Sequence, residues 1–164
     1  MKTRVLNHRQ IEQKLDRIAY EIIENNNEVE KLILIGIHGN GFQIAKDIAN
    51  RLKKISHQEI QTGELRIDKK KPLEHPIELS FPIEEIEHQT VILVDDVINS
   101  GRTMQYGLMK LLEHPLDRIK TVALVDRKHR KYPIRCNYVG LTLSTTLQDR
   151  IEVELEKERN AYLV

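Results

Sequence analysis

The side chains best suited to chemistry lie between Val91 and Thr103, in the segment VILVDDVINSGRT. Its four leading apolar residues predict a buried strand, and Asp95 and Asp96 follow directly. Small polar residues come next, and then the apolar spacing of a helix. Because the first amides of a helix have no intrahelical partner and carry partial positive charge, the segment predicts a site for an anion such as phosphate.

The two carboxylates indicate what accompanies that anion. Ser100 and Thr103 add hydroxyl donors, and Gly101 lets the backbone approach a ligand closely. Carboxylates do not bind phosphate, but they accept hydrogen bonds from sugar hydroxyls and bind hard divalent cations such as magnesium. An anion site beside acceptors for a diol describes a ribose 5-phosphate. The alternative is a plain turn in which Ser100 caps the helix, and the length of the whole run favours the ligand site.

Strands and helices alternate along the chain. Apolar runs predict buried strands over 31–37, 90–98 and 119–127, and a weaker pattern predicts a strand over 59–67. This order is typical of an α/β fold, a mostly parallel sheet with helices on both faces, in which ligands bind at the carboxyl ends of the strands. Further strands are predicted over 78–81, 137–145, 150–155 and 161–164, and a polar flap over about 66–83.

Three helices are expected to cover the sheet. Asn7 is a candidate cap for the first, the second begins near Phe42, and the third follows the anion site and ends before Pro115. Helical spacing predicts their buried faces: Ile11, Leu15, Ile18, Ala19 and Ile22 in the first, Ala45, Ile48, Ala49 and Leu52 in the second, and Met104, Leu108, Leu111 and Leu112 in the third.

Composition limits the class of protein. The 164 residues suffice for one domain, 1–164, with a sizeable core, and a formal net charge of +1 gives no general attraction to nucleic acid or membrane. Cys136 is the only cysteine, which excludes an intramolecular disulfide and indicates a reducing compartment. No apolar run approaches the roughly 18 residues of a membrane span, and the start is too polar for a signal peptide. We therefore expect a cytoplasmic protein with no membrane partner.

The segment VILVDDVINSGRT resembles the phosphoribosyl-pyrophosphate (PRPP) signature of type I phosphoribosyltransferases, which combines an apolar run, two acids and a small polar loop with glycine and threonine. Flanking segments are similar, in the same order, to the bifunctional uracil phosphoribosyltransferase and pyrimidine-operon attenuator family. These segments are RIAYEIIENN, LILIGIHGNGFQIAKDIANRL, TGELRI and VALVDRKHRKYPIRCNYVG, and the similarity runs from about Arg4 to about Glu154. The resemblance implies a type I phosphoribosyltransferase fold.

The resemblance also implies a role for each part of the site. Asp95 and Asp96 would hold the ribose hydroxyls, act in catalysis and contact Mg²⁺. The phosphates of PRPP would be bound by His38, Gly39 and Asn40 on the pyrophosphate side, and by Asn99, Ser100, Gly101, Arg102 and Thr103 on the 5-phosphate side. The nucleobase pocket would be bordered by Asp126, Arg127 and Tyr138.

The implied reaction transfers ribose 5-phosphate from PRPP to a nucleobase, with uracil expected, and releases pyrophosphate through an oxocarbenium-like transition state. The implied partners are PRPP with a nucleobase or a nucleoside monophosphate, the cofactor is Mg²⁺, and the assembly is a homodimer. In the family the pyrophosphate loop commonly carries Lys and Arg, where this chain has His38 and Asn40, so two formal positive charges are missing. The family also commonly has Lys where this chain has Leu141.

Two other functions stay open. One is an RNA-binding regulator of pyrimidine genes that senses nucleotide with weak or no catalysis, in which basic clusters would contact RNA phosphates. The other is a purine phosphoribosyltransferase, since base recognition through the backbone does not show in a sequence. Lysines 69–71 of the flap either reach over the PRPP phosphates or form a solvated charge run. The basic clusters are Lys46, Arg51, Lys53 and Lys54, and Arg127, Lys128, Arg130, Lys131 and Arg135.

Overall fold

The structure, a computed structural model, describes residues 1–164 as nine strands and three α-helices. The strands form one sheet of six and a second sheet of three. In chain order the elements are β1 (Thr3–Leu6), α1 (His8–Asn25), β2 (Lys31–Ile37), α2 (Asn40–Ile55), β3 (Glu59–Arg66), β4 (Glu78–Leu79), β5 (Thr90–Ile98), α3 (Arg102–Leu111), β6 (Arg118–Asp126), β7 (Tyr138–Thr142), β8 (Ile151–Glu154) and β9 (Asn160–Leu163). A short 3₁₀-helix at Ile83–Ile86 precedes β5.

The larger sheet has the strand order β4-β3-β2-β5-β6-β7. Five of its strands are parallel, and the short β4 is antiparallel at one edge. The predicted mostly parallel α/β sheet is therefore confirmed. Because the strands run the same way, the carboxyl ends of β2, β5 and β6 lie side by side at one end of the sheet.

The central strands send alternate side chains into two apolar layers. In β5, Ile92 and Val94 pack with α1 and α2, whereas Val91 and Leu93 pack on the opposite face, with α3. All four side chains are completely buried. The apolar run of β5 is continuous in sequence because both of its faces are covered, as predicted.

Helices α1 and α2 cover one face of the sheet and α3 covers the other. The predicted cap of α1 is confirmed: Asn7 Oδ1 accepts from the Gln10 amide, and Gln10 Oε1 accepts from the Asn7 amide, both at 2.9 Å. The prediction that Leu112 joins the buried face of α3 is wrong, since it is 52% exposed. Adjacent residues lie about 100° apart around a helix, so Leu111 takes the core position and Leu112 turns outward. None of the helices combines the length and apolarity that a membrane span requires.

The second sheet, which we call the hood, consists of β1, β9 and β8. Its strands are antiparallel, with Arg4 opposite Tyr162 and Val153 opposite Ala161. The sequence predicted β8 and β9 but not β1, which is four residues long and pairs with the other end of the chain. The hood meets the larger sheet through β8, which contacts β5.

A pair of leucine-to-alanine substitutions tests this packing. Leu93 is completely buried on the α3 side of β5, whereas Leu73 of the flap is 83% exposed. Because truncating a buried leucine removes apolar contacts and leaves a cavity, Leu93→Ala is expected to lower the free energy of unfolding by about 2–5 kcal/mol. The control, Leu73→Ala, is expected to change it by less than about 0.5 kcal/mol. Urea unfolding measures both, and equal effects would contradict the described core.

Candidate active site

The predicted site residues, except Tyr138, lie at the carboxyl ends of three adjacent strands. β2 leads into the HGNG loop (38–41), and β5 leads into what we call the anion loop (99–103). Asp126 is the last residue of β6. Since β5 lies between β2 and β6, the acid pair of β5 stands between the predicted pyrophosphate loop and the predicted base residues.

Asp95 is a buried carboxylate whose side chain is only 5% exposed. Its Oδ1 accepts from the Asp96 amide at 2.9 Å, and its Oδ2 lies 3.8 Å from Lys69 Nζ. Burial, and then the neighbouring charge of Asp96, raise the pKa of Asp95 to about 8, while Lys69 acts to lower it. The protein supplies this carboxylate with little positive charge of its own, so a cation or a hydroxyl donor from a ligand would stabilise its ionised form.

Asp96 is partly buried and held from two sides. Its Oδ1 accepts from the Val97 amide at 2.7 Å, and its Oδ2 accepts from Asn40 Nδ2 at 3.1 Å. The same Asn40 nitrogen donates to the Val153 carbonyl at 2.8 Å. Asn40 therefore links the second acid to the first turn of α2 and to the hood.

A cavity of about 110 Å³ opens beside the acid pair, lined by Lys69, Asp95 and residues 97–104. Gly101 sets the shape of the loop: its φ of +86° is left-handed, and a Cβ there would lie 2.3 Å from Ile134 Cγ2. α3 begins at the next residue, and Gly101, its cap, has no side chain to bind the first amides. The Arg102 amide donates to Ser100 Oγ at 3.3 Å, and the other amides of that first turn are available to an anion in the cavity.

The anion loop is braced from outside by the segment after β6. Asn99 Oδ1 accepts from Arg127 Nη1 at 2.9 Å, and the Asn99 carbonyl accepts from Arg130 Nη1 at 3.1 Å. The Ser100 carbonyl accepts from the amides of Lys131 and Tyr132 at 2.9 and 3.1 Å. Because these carbonyls already have partners, the loop is left with donors to offer an anion.

Asp126 and Arg127, predicted to border the base, lie at the expected strand end, each 6% exposed. The Arg127 side chain donates to Thr145 Oγ1 at 3.0 Å and to the Thr146 carbonyl at 3.1 Å, and so joins the anion loop to the loop after β7. Asp126 accepts from Arg130 Nη2 at 2.9 Å. Both side chains are therefore engaged within the protein as braces.

The HGNG loop follows β2. Gly39 has a φ of +92°, which glycine adopts without strain, and α2 begins at Asn40. His38 is 56% exposed, and its Nδ1 lies 3.1 Å from Glu64 Oε1. Burial raises the pKa of Glu64, but hydrogen bonds from His38 and Arg66 outweigh burial and the net shift is downward. The loop offers a helix N-terminus to an anion, with a histidine that is already paired.

The flap reaches the cavity through Lys69, one of the three lysines for which the sequence left a phosphate contact and a solvated charge run both open. Arg102 lines the cavity and its Nη2 donates to the main-chain carbonyls of Lys69 and Lys70. Lys71 instead pairs with Glu74 at 3.4 Å, and both side chains are more than half exposed. The three consecutive lysines indicated a basic flap, but the sequence does not show that Lys69, rather than Lys71, lines the cavity.

Tyr138, which was predicted to border the base pocket, has its side chain in the core instead. Tyr138 begins β7, is 4% exposed and packs in the core layer with α1 and α2. It pairs with Val122 of β6, well before Asp126, and its hydroxyl oxygen lies 3.2 Å from Asn26 Nδ2 at the end of α1. Its side chain therefore points into the core, away from the carboxyl ends of the strands, because apolar burial of the ring decides its position.

Replacing Arg127 tests the brace on the anion loop. Arg127→Met leaves acceptors on Asn99, Thr145 and Thr146 without their charged donor, so we expect the free energy of unfolding to fall by about 2–3 kcal/mol. Ribose 5-phosphate binding is expected to weaken at least about tenfold because the loop loses its support. Arg150→Met, at an arginine whose side chain is 75% exposed, is the control. Urea unfolding and calorimetric titration provide the two readouts, and wild-type binding by Arg127→Met would refute the brace.

Comparison with known proteins identifies the family. Residues 1–155 match the family model described as phosphoribosyl transferase domain. The bifunctional protein PyrR of Enterococcus faecalis (strain ATCC 47077 / OG1RF) is 39% identical over 153 residues, which cover 90% of this chain and 86% of the relative. The bifunctional protein PyrR of Bacillus cereus (strain AH820) is 37% identical over 169 residues, which cover 95% of this chain and 92% of the relative.

Solved structures share the fold. A hypoxanthine phosphoribosyltransferase of Staphylococcus aureus matches with a TM-score of 0.75 and 18% identity, covering 88% of this chain and 79% of that chain. A hypoxanthine-guanine phosphoribosyltransferase of Bacillus anthracis matches with a TM-score of 0.70 and 20% identity, covering 85% of this chain and 81% of that chain. These structures establish the type I phosphoribosyltransferase fold alone. With the family model and the curated relatives, they show that the chain belongs to the PRPP-dependent phosphoribosyltransferases and, among them, to the bifunctional PyrR proteins.

Proposed function

We propose that the protein transfers ribose 5-phosphate from PRPP to uracil, releasing pyrophosphate and forming uridine 5′-monophosphate. The observation that carries this proposal is the cavity lined by Asp95 and residues 97–104, next to the second carboxylate of Asp96. An anion site and two acceptors for a diol in one strand–loop–helix unit match the ribose 5-phosphate half of PRPP. The resemblance of the sequence to the uracil branch of the family supports uracil as the base.

The residues of the anion loop would bind the 5-phosphate. The first amides of α3 and the hydroxyl of Thr103 would donate to its oxygens, and Gly101 would let the backbone approach them. Asp95 and Asp96 would accept hydrogen bonds from the ribose hydroxyls. In this arrangement PRPP itself brings donors to the carboxylate that the protein leaves short of them.

Mg²⁺ is the cofactor that we propose, and the acid pair fits it. Magnesium prefers oxygen ligands and usually takes one or two carboxylates together with substrate oxygens, and the charge-poor Asp95 would gain from a cation. The protein has no group of three or more His, Cys, Asp or Glu side chains that would form a complete metal site. The ion would therefore be held by Asp95 and Asp96 together with PRPP. When bound, it supplies positive charge that stabilises the leaving pyrophosphate.

The reaction requires alignment and charge stabilisation rather than a covalent nucleophile. As the bond between C1 and pyrophosphate lengthens, positive charge develops on the ribose ring. The carboxylates of Asp95 and Asp96 favour that charge. Their bonds to the Asp96 amide, the Val97 amide and Asn40 hold them in place before the reaction begins, so little reorganisation is needed.

A base-by-base assay tests the proposed function. The protein is incubated with PRPP, magnesium and, separately, uracil, hypoxanthine, guanine, xanthine or adenine, and pyrophosphate release is measured. We expect release with uracil alone, loss of release on addition of EDTA, and recovery with excess magnesium. Release with a purine alone would assign the purine alternative, and no release with any base would refute the enzymatic function.

Neutralising the second acid tests its role in the reaction. Asp96→Asn keeps the size of the side chain but removes its charge, so we expect kcat to fall by about 10²–10³-fold with little change in melting temperature. Asp117→Asn is the matched control, since Asp117 precedes β6 at the opposite end of the sheet and accepts from Thr90 Oγ1 at 3.2 Å. Steady-state kinetics and thermal melts compare the two variants. If activity and fold were lost together in Asp96→Asn, the residue would be structural.

A second candidate function is RNA binding, which the name bifunctional, given to the PyrR relatives, favours. The predicted basic clusters are partly occupied, however. Arg51 pairs with Glu12, Asp16 and Asp47, and Arg127 and Arg130 brace the anion loop. Besides Arg127, which donates to Asn99 and Thr145, the members of the clusters without an ion pair are Lys46, Lys53, Lys54, Lys128, Lys131 and Arg135. We therefore propose phosphoribosyl transfer, rather than RNA binding, as the leading function.

A salt series separates the two functions. Because a few surface cations would release only a few counterions, we expect weak binding to a structured RNA, equal to that of a scrambled control, and lost between about 50 and 200 mM salt. Fluorescence anisotropy measures both RNAs. Tight binding that prefers the structured RNA at the higher salt concentration would make the regulator the leading function.

A further inference from the structure

The guanidinium of Arg102 joins the anion loop to the flap. Its Nη2 donates to the main-chain carbonyls of Lys69 and Lys70, at 2.5 and 3.2 Å. Both acceptors are backbone groups, so the contact depends on where the flap lies rather than on the side chains that it carries. A guanidinium, with several donors fixed in one plane, is well suited to bind two neighbouring carbonyls at once.

The part of the flap that Arg102 binds has a defined shape. Asp68 Oδ1 accepts from the amides of Lys70 and Lys71, both at 3.0 Å, which is the geometry by which aspartate stabilises a turn. The pKa of Asp68 is lowered, first by the bond from the Lys71 amide, as expected for a carboxylate that accepts two amides. Arg102 therefore holds a preformed turn.

The turn places one ammonium group in the cavity. Lys69 lines the cavity, and its Nζ lies 3.8 Å from Asp95 Oδ2. Lys71, two positions later, pairs with Glu74 instead. Position within the turn, and not the general charge of the flap, decides which lysine enters the site.

The site needs such a cation because other sources of positive charge are occupied or missing. PRPP carries several negative charges, but the HGNG loop has His38 paired with Glu64 and the neutral Asn40. Arg127 and Arg130 are engaged as braces outside the cavity. Lys69 and Arg102 are the only basic residues that line the cavity.

We propose that Arg102 is a latch that holds the flap against the anion loop, and that this latch selects Lys69, rather than Lys70 or Lys71, as the basic flap residue that faces the cavity. When PRPP enters, the ammonium of Lys69 moves from Asp95 to the phosphate oxygens of PRPP. Asp95 then becomes available to the ribose hydroxyls. Arg102 acts through the flap and is a positioning residue. The identity of the bound anion rests on the proposed function, whereas the latch does not.

Limited proteolysis tests the latch without any substrate. Because trypsin binds its substrate as a mobile, extended segment, we expect it to cleave after Lys69 and Lys70 faster when the flap leaves the protein surface. We expect initial cleavage in the flap to be at least about tenfold faster in Arg102→Gln than in the wild type, because the latched state loses both hydrogen bonds. Arg102→Lys carries one ammonium in place of the planar guanidinium, so we expect its flap to be cleaved at a rate between those of the wild type and Arg102→Gln. Mass spectrometry identifies and times each cut.

Two controls make the proteolysis result decisive. Lys110→Gln removes another cation of α3, one that pairs with Glu113 at 3.2 Å, and should leave flap cleavage at the wild-type rate. Cleavage after the exposed Lys157 serves as an internal reference that reports any general loosening of the fold. Equal flap cleavage in Arg102→Gln and the wild type, or a parallel rise at Lys157, would overturn the latch.

Steady-state kinetics test the role of Lys69. Lys69→Gln is expected to raise the KM for PRPP at least about tenfold with kcat changed less than about threefold, because a charged contact to the ground state is lost. Arg102→Gln should raise the same KM, and Lys71→Gln should match the wild type. An unchanged KM in Lys69→Gln would refute the PRPP contact. A wild-type protein that turned over no base would refute the proposed function and this contact with it, while the trypsin comparison would still decide the latch.

Discussion

The burial of Asp95 beside Asp96 is the constraint around which the rest of the site is arranged. Two adjacent carboxylates repel each other, and burial adds to this repulsion, which is why the pKa of Asp95 rises to about 8. The fold offsets the penalty in part with two fixed amide donors, from Asp96 and Val97, and with the ammonium of Lys69. Full compensation requires a ligand that brings hydroxyl donors and a cation. PRPP with magnesium provides both.

The arginines near the site stabilise its loops rather than supply free charge. Arg127 and Arg130 hold Asn99 from outside the cavity, and Arg102 holds the flap. Each guanidinium donates to carbonyl or amide oxygens whose positions then determine where the ligand-binding amides lie. The planar fork of arginine suits this task, because one side chain can satisfy several fixed acceptors. In the proposed function, binding of phosphate would therefore be left to the amides of the anion loop and to Lys69.

Features with a local signal could be predicted from the sequence, and features that depend on long-range contacts could not. The buried strands follow from continuous apolar runs, and the cap at Asn7 follows from a three-residue spacing. β1 is defined by its pairing with β9, which no local pattern encodes. The same limit applies to side-chain direction: the chain order places Arg127 and Tyr138 near the end of the sheet, but packing decides that one becomes a brace and the other a core residue.

In the proposed function, the HGNG loop, which has no Lys or Arg, changes where the affinity for PRPP would come from. A fixed cation in that loop would attract the pyrophosphate group both in bound PRPP and as it leaves with added negative charge. Asn40 instead links Asp96 to the hood, so this position supports the acid pair that would stabilise the transition state. The missing affinity would then come from Lys69, whose ammonium lies 3.8 Å from Asp95 Oδ2 on the flap that Arg102 contacts. Substrate binding and flap closure are thereby joined in one step, and release of pyrophosphate is eased whenever the flap opens.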